Sequence, residues 1–258
     1  MKIVILCGGM GIRLKEETEF KPKPLVEIGG KPILWHIMKI YSYYGYKEFI
    51  LCLGYKGEKI KEYFLNYEAV NNDFTIKLGS PNKIKYHGTH DETNWRITLV
   101  DTGLSSMTGA RIKRIEKYID EDEFMLTYGD GVAKINIKDL VDFHYSHGKI
   151  GTVTGVHPQP RFGKLVVEKN SVNEFSEKAL SSKEYINGGY FIFNRKIFNY
   201  LSADDSCVFE KEPLERLARD NQLMMYPLDS FWQCMDTHRD MQLLKEIWDS
   251  GNVEWKVW

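Results

Sequence analysis

The residues with the clearest chemical potential lie near the N-terminus. The apolar run Lys2–Cys7 passes directly into Gly8-Gly9-Met10-Gly11-Ile12-Arg13-Leu14. Glycines let the main chain turn sharply and bring several N–H groups towards one point, and such a nest binds phosphate oxygens. Arg13 adds a charged fork that matches phosphate geometry. A little further on, Lys21-Pro22-Lys23-Pro24 carries two lysines in a segment that the prolines restrict to an extended backbone. Fixed point charges beside a phosphate nest suit a triphosphate. Taken separately, the glycines also fit a structural turn and the lysines a solvated basic turn. The loop lacks the GxxxxGK[ST] pattern, and Leu14 stands where a dinucleotide fingerprint needs its third glycine, which argues against NAD.

Two aspartates are the next candidates. Asp130 follows the apolar run Glu123–Tyr128 and sits between Gly129 and Gly131, and Asp236 follows Phe231–Met235. Carboxylates converging from distant segments would give oxygen ligands to a hard divalent cation; turn-forming aspartates fit the same spacing. His144 and His147 have helical spacing but no evident third ligand, and read as a helix-surface pair. His87 and His90 read as solvated loop residues. Cys7, Cys52, Cys207 and Cys234 form no CxxC pair, and the first two sit in apolar runs as small core hydrophobes. That usage suits a reducing, cytoplasmic setting.

Strand-like and helix-like segments alternate over the first two thirds of the chain. Lys2–Cys7, Glu48–Leu53, Arg96–Val100 and Glu123–Tyr128 read as strands. Pro32 opens a helix that Gly45 closes, Gly57–Asn66 makes a second, Thr108 caps a third that runs to Ile119, and Lys138–His147 makes a fourth. The stretch 68–94 is polar and weakly patterned, a long excursion. From Gly151 the pattern shifts to short strands at Gly151–Val156, Gly163–Glu168, Val172–Phe175 and Tyr190–Asn194. A helix at Glu212–Asn221, a strand at Leu223–Leu228 and a helix from His238 to Ser250 follow. This alternation predicts an α/β fold with a mainly parallel sheet and helices on both faces. Ligands of such sheets bind beyond the carboxyl ends of the strands, which directs attention to the loops after Cys7, Tyr128 and Met235.

The 258 residues are 43% hydrophobic and 28% charged, ordinary for a soluble globular protein. A net charge of −1 offers no whole-surface field for nucleic acid or an anionic membrane. Ile3–Cys7 is too short for a signal-peptide core, and no later stretch reaches about 18 apolar residues. The C-terminal Val253-Glu254-Trp255-Lys256-Val257-Trp258 carries two tryptophans that would be costly to expose. They either pack back on the chain or dock on another subunit, and a homo-oligomer is expected.

Gly8–Leu14 followed by Lys21-Pro22-Lys23-Pro24-Leu25-Val26 resembles the signature of the sugar nucleotidyltransferases, GGxGTRL followed by PKPM. The stretch Glu16–Met38 is similar to the glucose-1-phosphate cytidylyltransferase branch of that family. So are Asp101-Thr102-Gly103, Met107-Thr108-Gly109, Tyr128-Gly129-Asp130-Gly131, Arg161-Phe162-Gly163, Phe175-Ser176-Glu177-Lys178, Ile186-Asn187-Gly188-Gly189 and Phe231–Thr237. Ile12 departs from the pattern, which has a threonine there whose hydroxyl could touch a phosphate.

The resemblance implies a Rossmann-like mixed sheet with a smaller strand-rich part that binds sugar. It implies one nucleotidyltransferase domain, with a nucleotide-binding part at about 1–135, a sugar-phosphate part at about 136–240 and a terminal helix and tail at 238–258. In the implied reaction, glucose 1-phosphate attacks the α-phosphorus of CTP, with Mg2+ as the cofactor on Asp130 and Asp236. Arg13 would hold the β and γ phosphates and Lys23 the α-phosphate, with Leu6, Cys7, Gly8, Gly9, Met10, Gly11, Ile12, Ser106, Arg111 and Asp130 around the nucleotide. Lys178 would grip the incoming phosphate, and Gly163, Glu177, Asn187 and Gly188 the sugar. Two alternatives stay open: a relative using another nucleotide or another phosphorylated acceptor, and a non-catalytic nucleotide sensor on the same fold. A glycosyltransferase would carry a DxD-type metal motif, which Gly129-Asp130-Gly131 lacks.

Overall fold

The computed structural model describes residues 1–79, 83–157, 164–176 and 184–258, apart from the side chains of 15, 164–166 and 174–176. Among the described residues the central sheet has seven strands: β1 (Lys2–Leu6), β2 (Glu48–Leu53), β3 (Arg96–Asp101), β4 (Glu123–Tyr128), β5 (Gly151–Val156), β6 (Ile186–Asn194) and β7 (Leu223–Leu228). They lie in the order β7-β5-β6-β4-β1-β2-β3. β1 is parallel to β2 and β4, β2 to β3 and β5 to β7, while β6 runs antiparallel to both β4 and β5. The sheet is therefore mixed and mainly parallel. The chain steps outward from β1 to β2 and β3, then returns to place β4 on the other side of β1. A crevice opens at such a reversal, beyond the carboxyl ends of β1 and β4.

Both faces of the sheet are covered, which is why its inner strands read as unbroken apolar runs. Ile3 and Ile5 enter one core with Phe49, Leu51 and Met125. Val4 and Leu6 enter a second with Ile50, Cys52, Phe124 and Leu126. The main helices are α1 (Ile33–Tyr43), α2 (Gly57–Leu65), α3 (Thr108–Arg114), α4 (Ile137–His147), α5 (Glu212–Arg219) and α6 (His238–Asp249). α1, α2, α4 and α6 give Ile37, Ile60, Leu140 and Leu244 to the first core, and α3 and α5 give Ile112 and Leu217 to the second.

Several elements differ from their sequence expectation, each for a physical reason. Thr108 is the first residue of α3 rather than its cap, because its hydroxyl is engaged elsewhere: it donates to Glu210 at 2.6 Å and accepts from Phe209 N at 2.9 Å. α3 stops at Arg114, with a separate 3-10 turn at Glu116–Tyr118. The excursion contains a helical turn, Tyr67–Asn71, and a hairpin of Phe74–Ile76 with Ile84–Tyr86. Among the described residues those strands pair only with each other and are exposed throughout, so no buried alternation marks them. Within the excursion His90 is 3.0 Å from Glu68 and packs edge-on against Tyr67. β6 begins at Ile186 rather than Tyr190, with an irregularity in its pairing with β5 that absorbs Gly188 and Gly189.

His144 is buried, not on the helix surface. The tail tryptophans pack back on their own chain: Trp255 is 1% exposed and stacks on Phe231, and Trp258 meets Trp35 edge-on. His36 lies under them. Its Nε2 is 2.8 Å from Ile28 O, and Trp255 Nε1 donates to its Nδ1 at 3.5 Å. Burial lowers its pKa to about 4, so it is neutral at pH 7. No helix among the described residues is long and apolar enough to cross a membrane.

Candidate active site

β1 and β4 end in register, Leu6 opposite Tyr128, and Gly129 N donates to Leu6 O at 3.0 Å. The glycine loop thus leaves the sheet at its centre. Gly8 is required there because a Cβ would collide with the Arg111 guanidinium, and Gly11 because its φ is +62°. Beyond the two strand ends lies a cavity of about 420 Å³. Its wall includes Leu6, Cys7, Gly8, Gly9, Met10, Gly11, Ile12, Arg13, Lys23, Ser106, Arg111, Asp130 and Asp236. Every residue expected from the sequence near the nucleotide or the metal therefore reaches one cavity. Pro24, Met107, Thr108, Tyr128 and Gly129 complete the wall without any role assigned from sequence. Tyr128 had a usable signal, since it ends a strand immediately before Gly129-Asp130.

Separate devices aim the charged groups. Lys23 opens a short 3-10 turn, Lys23–Leu25, after an extended Pro22, instead of lying in an extended segment. Asp130 leaves β4 in the turn before the short strand Gly131–Ala133. That strand pairs antiparallel with Trp232–Cys234, and Met235 N donates to Asp130 O at 2.8 Å, which sets Asp236 beside Asp130. Thr237 and Asp240 form a capping box at the start of α6. Asp240 also accepts from Asp236 N at 3.1 Å, so the helix cap orients the second carboxylate.

These groups meet as an ionic cluster. The Lys23 ammonium pairs with Asp130 and lies 2.7 Å from Asp236 Oδ1, and the Arg13 guanidinium lies 3.1 Å from Asp236 Oδ2. Burial is the largest influence on Lys23 and opposes its charge. Asp130 and then Asp236 overcome it and hold the pKa above the ordinary lysine value, so the side chain is cationic at neutral pH. The nearby Cys234 is pushed up to about 11 by burial and by Asp236 and Asp130, which keeps it an unreactive thiol. Asp130 and Asp236 could hold a hard cation. No third His, Cys, Asp or Glu among the described residues completes a metal cluster with them. A two-carboxylate donor set fits an ion that takes its remaining ligands from water and phosphate.

Arg111 and Ser106 reach the cavity but are committed to the protein. The Arg111 guanidinium donates to the carbonyls of Leu53, Gly103, Gly8 and Leu104 and to Thr102 Oγ1, so it braces the glycine loop. Ser106 donates to Asp205 at 2.6 Å and accepts from Arg114. On the far side of Asp130, Asn187 and Gly188 line a smaller cavity of about 40 Å³, which shares Tyr128 and Asp130 with the larger one. Gly163, Glu177 and Lys178, expected at the sugar phosphate, lie outside the described residues.

Comparison with known proteins gives this geometry a family. A family model described as nucleotidyl transferase matches residues 2–244. Glucose-1-phosphate cytidylyltransferase of Salmonella typhi is 49% identical over the whole of both chains. Probable glucose-1-phosphate cytidylyltransferase of Bacillus subtilis is 48% identical, again over the whole of both. A crystal structure of HddC from Yersinia pseudotuberculosis, complexed with GMP-PN, is 24% identical. It superposes with a TM-score of 0.69 over 96% of this chain and 99% of its own, a likeness of fold. A paired-carboxylate cavity at the sheet reversal, a family match over nearly the whole length and close full-length relatives lead to one conclusion: the chain belongs to the nucleotidyl transferase family.

Proposed function

We propose that this chain transfers the cytidylyl group of CTP to α-D-glucose 1-phosphate, giving CDP-glucose and pyrophosphate. The observation that carries the reading is the convergence of Arg13, Lys23, Asp130 and Asp236 on one cavity at the end of β1 and β4. The full-length cytidylyltransferase relatives support the choice of substrates. The nucleophile is a phosphate monoester, whose second pKa is about 6, so it is already anionic at neutral pH. No general base is required, and the barrier is the meeting of two anions. Positioning and charge neutralisation then carry catalysis.

Arg13, the most exposed of the four charges, serves the β and γ phosphates and the leaving pyrophosphate. Lys23 exchanges its carboxylate partners for the α-phosphate, where charge builds. Main-chain groups from Leu6 to Gly11 cradle the nucleotide, with Arg111 fixing their path. Asp130 and Asp236 are the residues that would hold Mg2+, which when bound supplies charge neutralisation on the phosphate oxygens. Asn187 and Gly188, together with Gly163, Glu177 and Lys178, serve the sugar phosphate. The division into a nucleotide part at about 1–135 and an acceptor part at about 136–240 follows from these roles.

Free cysteines and a CTP substrate support a cytoplasmic setting. The exposed hydrophobic side chains Phe74, Ile76, Leu78 and Ile84, on an isolated hairpin, support assembly into a homo-oligomer. Light scattering at micromolar concentration tests that assembly, and a monomeric mass refutes it. The activity is tested by pyrophosphate release with a matrix of nucleoside triphosphates against sugar 1-phosphates. Release confined to CTP with glucose 1-phosphate is expected; a preference for another pair would replace these substrates.

A further inference from the structure

Glu210 lines neither cavity yet touches a wall of each. It sits in the turn that leads into α5. Its Oε2 accepts from Thr108 Oγ1 at 2.6 Å and its Oε1 accepts from the Tyr128 hydroxyl at 2.6 Å. Thr108 faces the larger cavity, and Tyr128 faces both. A carboxylate has acceptor positions on two oxygens, and can take two hydroxyl donors from different directions at once. Both contacts have the short length of charge-assisted O–H···O bonds. The turn is pinned again at the neighbouring residue, where Phe209 N donates to Thr108 Oγ1 at 2.9 Å.

The contacts continue to the sugar side. Asn187 Nδ2 donates to the Tyr128 hydroxyl oxygen at 3.3 Å, and Asn187 Oδ1 accepts from Gly189 N at 2.8 Å. Because the Tyr128 proton is spent on Glu210, the phenol oxygen presents only lone pairs to Asn187. That fixes which end of the amide faces Tyr128, and among the described residues no partner takes the second Nδ2 proton. Gly189 has φ +81°, and a Cβ there would come within 2.8 Å of the Tyr128 ring. The ring thus lies against backbone that only glycine provides.

We infer that Glu210 is a positioning residue: it sets the Tyr128 hydroxyl, and through it the Asn187 side chain, in register with the Thr108 wall of the nucleotide cavity. The inference rests on the reading that Asn187 belongs to the sugar-phosphate site. Glu210 is itself exposed, so its replacement leaves the cores intact and the functional effect separates from folding.

The test is steady-state kinetics of Glu210→Ala, Glu210→Gln, Tyr128→Phe and the double variant Glu210→Ala/Tyr128→Phe. CTP and glucose 1-phosphate are varied separately, with CTP binding measured by calorimetry and Tm recorded. Glu210→Ala raises KM for glucose 1-phosphate by about tenfold, the equivalent of one lost charge-assisted contact. It changes the Kd for CTP by less than about twofold and lowers Tm by only about a few degrees. Glu210→Gln, which can still bridge two hydroxyls through its oxygen and its N–H, recovers most of the loss. Tyr128→Phe reproduces the Ala phenotype, and the double variant is no worse than either single, as expected for one connected unit. Unchanged KM for glucose 1-phosphate in Glu210→Ala, or an equal rise in both KM values, would overturn the assignment. Failure of the unaltered enzyme to turn over CTP with glucose 1-phosphate would instead overturn the proposed function.

Discussion

The central sheet carries a polar cluster at each end, and the two are built on different terms. At one end Arg13, Lys23, Asp130 and Asp236 are four full charges on strand-end and loop segments around an open cavity. At the other, α4 packs His144 and His147 against the start of β4 and β5. His144 Nδ1 is 2.8 Å from Thr152 Oγ1 and its Nε2 is 3.0 Å from Glu123 Oε2. His147 Nε2 reaches the same Thr152 oxygen at 2.8 Å, and Asn194 donates to Glu123 Oε1 at 2.8 Å. A cavity of about 190 Å³ opens beside this second cluster. Its members nonetheless satisfy one another within the fold. A gathering of titratable side chains therefore says little by itself. On the proposed function, what marks the first cluster is that a phosphate or a cation would offer each member a new partner.

That contrast can be broken from either end. The largest effect is expected for Asp236→Asn, which removes one of two carboxylates: pyrophosphate release should fall by about 10³ in kcat/KM. A loss below about threefold would put the cluster on the same footing as its counterpart. Lys23→Met should cost about 10²–10³ in kcat. It should also tighten Mn2+ binding to the nucleotide-free protein, since an ammonium no longer competes for both aspartates. Electron paramagnetic resonance of free Mn2+ reads this directly, and weaker binding would deny the competition.

His36 extends the comparison to a buried group with no ligand to gain. Its folded pKa of about 4 lies below the unfolded value of about 6.5, so the unfolded chain takes up a proton that the folded chain refuses. Stability is full above pH 6.5 and falls as pH drops towards 4. The loss between pH 7 and 5 should be about 2 kcal/mol, visible in urea midpoints and flattened by His36→Gln. A protonated Nδ1 would also point an N–H at the Trp255 N–H, so the tail should loosen first. The smallest effect is His147→Ala, which loses two partly exposed hydrogen bonds, to Thr152 Oγ1 and from Lys149 N: about 1 kcal/mol of stability with kcat unchanged. A marked fall in kcat there would show that the second cluster does more than hold the fold.

The parts of the molecule that were legible in the sequence share a cause. β1, β2 and β4 are buried on both faces, so KIVIL, EFILCL and EFMLTY carry an almost unbroken apolar signal. Asp130 lies just beyond β4, Lys23 between two prolines and Arg13 two residues past Gly11, where residue type constrains backbone; Asp236 follows the short strand Trp232–Cys234. The rest depended on partners far away in the chain. His144 has the spacing of a surface pair, and only Thr152 and Glu123, brought in by the sheet, make it a core residue. Glu210 has no local pattern at all, because what defines it are two hydroxyls 102 and 82 residues away in the chain. Thr108 looks like a helix cap until Glu210 claims its hydroxyl. The exposed hairpin buries neither face, so its strands carry no period.

The reversed direction of β6 has a consequence for how such an enzyme can diversify. Because β6 runs against its neighbours, its first residues arrive at the rim where β1 and β4 finish. Asn187 and Gly188, among the first residues of β6, thus line the small cavity at that rim, whereas the glycine loop follows β1 and Asp130 follows β4. On the proposed function, substitutions at the start of β6 would retune the acceptor while leaving the glycine loop in place. Donor and acceptor preference would then be separately heritable traits, written in different stretches of one gene.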